Sequence, residues 1–193
     1  VFAERNFAGY DIRFSQTTDG DQTVYKWTGR DMPRAVHEPG CPHIDEMLPF
    51  VEVGGRRSWQ DINHLMMNAY LSRLRLTPSL REEVVRLTED ADAPREKIAR
   101  LYAFVCEHIE ARSGPHQASQ ILHQRTGDRN ILLMALLRAA GFAPLYAAVR
   151  PHRRLLYEPA WEIPQARHFP LRMVTVCPGG EDDRLWLDTR YRT

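Results

Sequence analysis

The sequence predicts an α+β protein, with helices packed against an antiparallel sheet and a small β segment at the N-terminus. Three observations carry this. Residues 10–27 alternate apolar and polar side chains around a tight-turn signal. The middle of the chain repeats apolar residues at helical spacing. A leucine-rich run ending at Gly141 carries the start and stop marks of one buried helix, and strand-like segments follow it.

Tyr10-Asp11-Ile12-Arg13-Phe14-Ser15 and Thr23-Val24-Tyr25-Lys26-Trp27 both have the period of two of a half-buried strand. Thr18-Asp19-Gly20-Asp21 between them carries an Asp-Gly hairpin signal. The proline-rich passage from Met32 to Pro49 reads as irregular, and Phe50-Val51-Glu52-Val53 as a short strand stopped by Gly54-Gly55. Ser58-Trp59-Gln60-Asp61 then opens a helix with a capping-box pattern. Trp59, Ile62, Leu65, Met66, Ala69 and Tyr70 share one face of it, predicted to be core. A second helix follows Thr77-Pro78-Ser79 through Leu80, Val84, Val85 and Leu87. Asp92-Ala93-Pro94 starts a third, predicted to run to about Arg112, with Ile98, Leu101, Tyr102, Val105 and Ile109 marking its apolar side. Ser113-Gly114-Pro115 breaks the chain before a short helix near Ala118–His123.

The best-marked element comes next. In Thr126-Gly127-Asp128-Arg129-Asn130, Gly127 gives a sharp entry and Asp128 can cap the first free N–H groups. The helix continues from Ile131 through Arg138-Ala139-Ala140 and stops at Gly141, which suits a left-handed end. Pro144 to Val149 is predicted as a buried strand, and Arg172–Val176 with Arg184–Leu187 as a hairpin around the polar turn Gly179–Asp183.

With 193 residues, 43% hydrophobic, the chain can bury one large or two small cores. A net charge of +1 gives no reason to expect nucleic acid, and no apolar run is long enough for membrane insertion. Beginning at Val1, without a starting Met, the chain reads as a fragment of a longer polypeptide. Cys41, Cys106 and Cys177 are too few for a disulfide framework. Cys106 lies beside the apolar stripe of its helix and reads as a buried structural thiol, Cys177 as part of a turn. Cys41 with His43 and His37 lacks the paired spacing of a zinc centre, so neither a metal nor another cofactor is expected.

In their order, these segments resemble the core of the bacterial transglutaminase-like superfamily, whose fold is shared with papain-type cysteine proteases. That family has a helix ending in I-x-Y, a GDC(K/R)D box opening a helix LL-x-ALLRAAG, a strand F-x-H, and then LD-x-T. Here Phe104 to Ile109 falls on the first helix, with Ile109-Glu110-Ala111 in place of I-x-Y. Gly127-Asp128-Arg129-Asn130 falls on the box, and Leu133 with Ala135 to Gly141 on the helix. Phe169-Pro170-Leu171 and Leu187-Asp188-Thr189 match the last two motifs. The resemblance covers about half the chain, from near Pro94 to the end. It implies three parts: the end of a β-rich domain over 1–57, a helical linker packed on the core over 58–93, and the transglutaminase-like domain over 94–193. It also implies that further strands of the β-rich domain lie upstream, which leaves an exposed edge or a partial sheet.

The family's chemistry needs a Cys nucleophile, a His base and an Asp that orients the His. The matched positions hold Arg129, Leu171 and Asp188, a degenerate triad without its thiol or its imidazole. His168, an odd number of residues before Leu171, would face the other side of an extended strand. The resemblance therefore implies a non-catalytic module of a larger bacterial envelope protein, binding a protein or peptide or serving as scaffold. By the same resemblance its location is periplasmic or in the cell envelope, with the cytoplasm as the alternative. The competing reading is an active cysteine hydrolase or acyltransferase using a relocated pair, Cys106 or Cys177 with His168. An ion pair between Arg129 and Asp188 is a further expectation, since both family positions face one cleft.

Overall fold

The structure, a computed structural model, describes residues 2–34, 36, 38–41, 47–55, 57–114, 116–150, 163–164 and 169–190. Strand β1 (Phe2–Arg5) is too short to show a period in the sequence, yet it pairs antiparallel with β4 (Phe50–Val53), Phe2 opposite Val53 and Arg5 opposite Phe50. The last strand of this segment thus has a partner inside the chain, in a two-stranded sheet. Between them, β2 (Asp11–Asp19) and β3 (Gln22–Arg30) form the expected hairpin. Asp19 pairs with Gln22, so Gly20 and Asp21 are the turn residues, and Gly20 takes the left-handed backbone (φ +58°) that such a turn needs at its first position. Alternation puts Phe14 opposite Trp27 with Tyr25 diagonal to it. Phe2 packs on all three rings, at 5.6 Å from Phe14, 5.4 Å from Tyr25 and 4.9 Å from Trp27.

These strands belong to one compact unit, Val1–Trp59 with Pro151–Gln165; the second comprises Gln60–Arg150 with Ala166–Thr193. The second unit holds α1 (Trp59–Leu71) from its second residue onward, α2 (Pro78–Thr88), α3 (Pro94–His108), α4 (Ala118–Gln124), α5 (Arg129–Ala139) and a three-stranded antiparallel sheet. That sheet runs in the order β7 (Leu145–Val149), β8 (Leu171–Val176), β9 (Leu185–Leu187). The class is α+β, as the sequence predicts. Both α2 and α3 begin with proline, whose fixed φ suits the first helical position. Helix α4 opens with a reciprocal capping box between Gln117 and Gln120.

Helix α5 sits at the centre. Every residue from Ile131 to Leu137 is at most 2% exposed, and the helix touches α2, α3, α4, β7 and β8. Its end is a Schellman motif: Phe142 N–H donates to the Leu137 carbonyl and Gly141 N–H to that of Arg138, with Gly141 at φ +88°. Its entry is tighter. Gly127 lies at φ +144°, and a Cβ there would stand 2.6 Å from Cγ1 of the fully buried Ile121.

Several expectations need correction. Helix α3 stops at His108, because Ile109 turns extended and leads into β5 (Glu110–Ala111), which pairs in parallel with β6 (Thr126–Gly127). The Trp59 stripe is core only in part: Ile62 is buried and Tyr70 packs against the core, while Trp59 is 36% and Leu65 60% exposed. Val85 and Leu145 are also exposed, so neither all the apolar residues of α2 nor the whole of β7 face the interior.

The contrast between the two glycines gives a test. Gly127→Ala meets both strain and a clash and should cost roughly 2–4 kcal/mol. Gly141→Ala, with open space around the new Cβ, should cost about 1 kcal/mol. Urea denaturation of the two variants measures the difference.

Candidate functional site

The start of α5 draws together the segments around Arg129, Leu171 and Asp188. Asp128 caps the helix, its Oδ1 accepting from Asn130 N–H at 3.0 Å, while Oδ2 lies 3.9 Å from the Arg73 guanidinium. Arg73 donates in addition to the carbonyls of His116 (3.0 Å) and Gly114 (2.7 Å), fixing the chain that leads into α4. Arg129 occupies the first helical turn, where a thiolate would gain from the positive end of the helix dipole. A guanidinium gains nothing there and has no lone pair for attack on a carbonyl. It is used otherwise: Nε donates to the Ile109 carbonyl at 2.8 Å and a terminal nitrogen to the Thr189 carbonyl at 2.9 Å. Position 129 therefore joins the end of α3 to the segment after β9.

Asn130, next along the helix, ties in the remaining strand. Its Nδ2 donates to the Arg172 carbonyl at 3.4 Å and its Oδ1 accepts from Thr189 Oγ1 at 3.0 Å. The first residues of β8, Leu171 and Arg172, and the Asp188-Thr189 segment thus meet the entry of α5 at one place. Leu171 is partly buried and opens the strand opposite Val149.

The expected ion pair between Arg129 and Asp188 does not form. The Asp188 carboxylate is taken by Arg190 two residues on, whose Nε is 2.8 Å away and whose backbone N–H also donates to it. A local partner costs less chain entropy to hold than a distant one, and the nearby carbonyls already absorb the Arg129 donors. The Arg190 guanidinium, through that hydrogen bond, holds the Asp188 carboxyl below the usual carboxylate range.

Cys106 is fully buried, as the sequence predicts, and burial pushes its thiol above the ordinary cysteine range. One turn earlier on the same helix is Tyr102, whose hydroxyl donates to the Asp188 carbonyl at 2.8 Å. Burial, with the thiol as second cause, raises the Tyr102 phenol to about 12. Cys177 makes a contact of 4.0 Å to the Glu181 carbonyl. Neither cysteine hydrogen-bonds to a described histidine. His37, His43 and His168 lie outside the described residues. Among the described residues no helix is long and apolar enough to cross a membrane. Tyr102, Asn130, Thr189 and Arg73 are the members of this locus that sequence reading missed. Asn130 and Thr189 stood inside the box-like and LD-x-T-like segments, which was their advance signal; Arg73 and Tyr102, distant from both in sequence, gave none.

Two predictions follow from this geometry. Arg129→Ala leaves the buried Ile109 carbonyl without its cationic donor and should cost roughly 2–3 kcal/mol. Arg129→Lys, with one compact ammonium, should recover about half of it by thermal unfolding. For Asp188 the folded form holds its proton less tightly than the unfolded form. Its contribution is therefore complete above the unfolded value of about 4 and lost as pH falls through the lower folded value. Asp188→Asn should accordingly be less stable than the parent at neutral pH, with the two melting temperatures converging in strong acid.

No family model matches this chain, and no curated protein matches it either. Among solved structures, a candidate protease from Parabacteroides distasonis is similar, with a TM-score of 0.65 at 16% sequence identity. The match covers 97% of this chain and 37% of that one, so the chain spans little more than a third of that protein's length. At this identity the likeness is one of fold alone.

Proposed function

We propose that this chain is a catalytically inactive transglutaminase-like module, serving as a protein- or peptide-binding or scaffold part of a larger bacterial envelope protein. The observation that carries this reading is the employment of Arg129. Where the resemblance puts a nucleophilic thiol, a guanidinium donates to the Ile109 and Thr189 carbonyls. Such an arrangement stabilises a fold and offers no electron pair to a substrate. Leu171 at the position of the base agrees with it, since an apolar side chain cannot take a proton. Asp188, bound to Arg190, has no imidazole to orient at the position where one is called for.

The competing reading needs another activated cysteine. Cys106 is poorly suited: a reactive thiol is exposed and its pKa depressed, whereas this one is buried and its pKa raised. Fold likeness to a candidate protease is compatible with either reading, because one fold hosts active and inactive members.

Iodoacetamide treatment of the folded protein at about pH 6 separates them, since only an activated thiolate reacts appreciably there. The expected outcome is no rapid labelling, with Cys106 modified only on unfolding. Fast labelling of Cys106 or Cys177, read by peptide mass, overturns the inactive assignment. Arg129→Cys combined with Leu171→His should, in contrast, introduce a cysteine that labels under these conditions. Failure of a folded double variant to do so would detach this site from the resemblance.

A further inference from the structure

Helix α1 brings little apolar surface to the core: Ile62 is its buried residue, while Trp59, Leu65 and Leu71 are exposed. Its last turn is held by Tyr70, which packs against the core and meets the ring of Tyr146 on β7. The two centroids are 4.1 Å apart, with the planes tilted by 36°. Aromatic pairs in proteins ordinarily stand about 4.5–7 Å apart, so this contact is a close one. Tyr25, by comparison, has ring contacts with Phe2, Phe14 and Trp27, none of them a phenol.

The hydroxyl ends of the pair coincide as well. A hydrogen bond joins the two side chains, and burial, followed by that bond, pushes the Tyr146 phenol up, so it stays protonated at neutral pH. Rings this close, little tilted and bonded through their hydroxyls lie side by side in the same direction. The ortho carbons flank the hydroxyl on each ring, so the geometry brings an ortho carbon of Tyr70 beside one of Tyr146.

That placement matters for one reaction. A phenol that loses an electron and a proton becomes a neutral radical, with its unpaired spin shared by the oxygen and the ortho and para carbons. The para carbon of tyrosine already carries the side-chain methylene. Two neighbouring radicals therefore couple through their ortho carbons. One C–C bond forms, each ortho hydrogen moves to a phenolic oxygen, and both rings become aromatic again. With hydrogen peroxide as oxidant and a haem peroxidase delivering single-electron steps, two phenols and one peroxide give one linked pair and two waters.

We propose that Tyr70 and Tyr146 form an oxidative cross-linking site, at which a peroxide-driven one-electron oxidant joins the two rings and staples α1 to β7. The inference is independent of the reading of the α5 site and stands or falls without it.

The test is oxidation of the whole 193-residue chain, kept dilute, with a haem peroxidase and hydrogen peroxide. The expected product is a monomer with the blue fluorescence of a linked tyrosine pair. Digestion should release the peptides of Tyr70 and Tyr146 joined, lighter than their sum by two hydrogen atoms. Tyr70→Phe and Tyr146→Phe each keep a ring for packing, and each should abolish this product. Their melting temperatures, within a few degrees of the parent, separate loss of the reacting phenol from loss of fold. Tyr25→Phe should leave the product in place. In urea, where the rings part, the same treatment should no longer join these two peptides. A folded chain that gives no linked pair, links other tyrosines instead, links only between molecules, or joins Tyr70 to Tyr146 equally well when unfolded would overturn the proposal.

Discussion

A helix buried on every side is the constraint from which the larger unit follows. From Ile131 to Leu137, α5 has no solvent face, so its unpaired backbone groups at both ends need partners within the protein. At the far end the chain reverses through Gly141 and closes its own carbonyls. At the near end Asp128 caps Asn130 N–H, and Gly127 provides the close approach to Ile121 that a side chain would block. Helices α2, α3 and α4 and the strands β7 and β8 are in contact with this rod, which is why segments distant in sequence meet at its entry.

Arg129 at that entry is a poor choice by helix electrostatics alone, since a cation in the first turn costs roughly 0.3–1 kcal/mol. Two hydrogen bonds from a charged donor, each about 1.5–3 kcal/mol where water is scarce, outweigh it. The balance explains how a residue unsuited to the helix dipole sits at the head of the central helix. Two of the five N–H groups of Arg129 are thereby held on backbone carbonyls.

Much of this was legible because local signals and tertiary structure agree. The two-residue turn at Gly20-Asp21, the prolines opening α2 and α3, and the cap and stop of α5 are short-range chemistry that the sequence displays directly. Legibility ended where partners come from afar. Strand β1 is four residues long, and β5 and β6 pair over two residues each, so none has a period to detect. The apolar face of α1 has helical spacing, but spacing says which residues share a side, not whether anything covers them, and Leu65 is open. At the start of α5, the Asp128 cap was visible in advance. The choice of Arg129 for carbonyls over Asp188 was not, because it turned on Arg190 lying two residues from that carboxylate.

The segment that follows β9 carries a final consequence. A surface stretch after a three-residue edge strand would ordinarily open by itself at little cost, exchanging its amide hydrogens quickly. Here Tyr102 holds the carbonyl of Asp188, Arg129 that of Thr189, and Asn130 the Thr189 hydroxyl. These anchors come from α3 and α5, two helices of the hydrophobic interior. Detaching the segment means breaking bonds to both at once, so it belongs to the same cooperative folding unit as the helices, and its fraying reports on the integrity of the core.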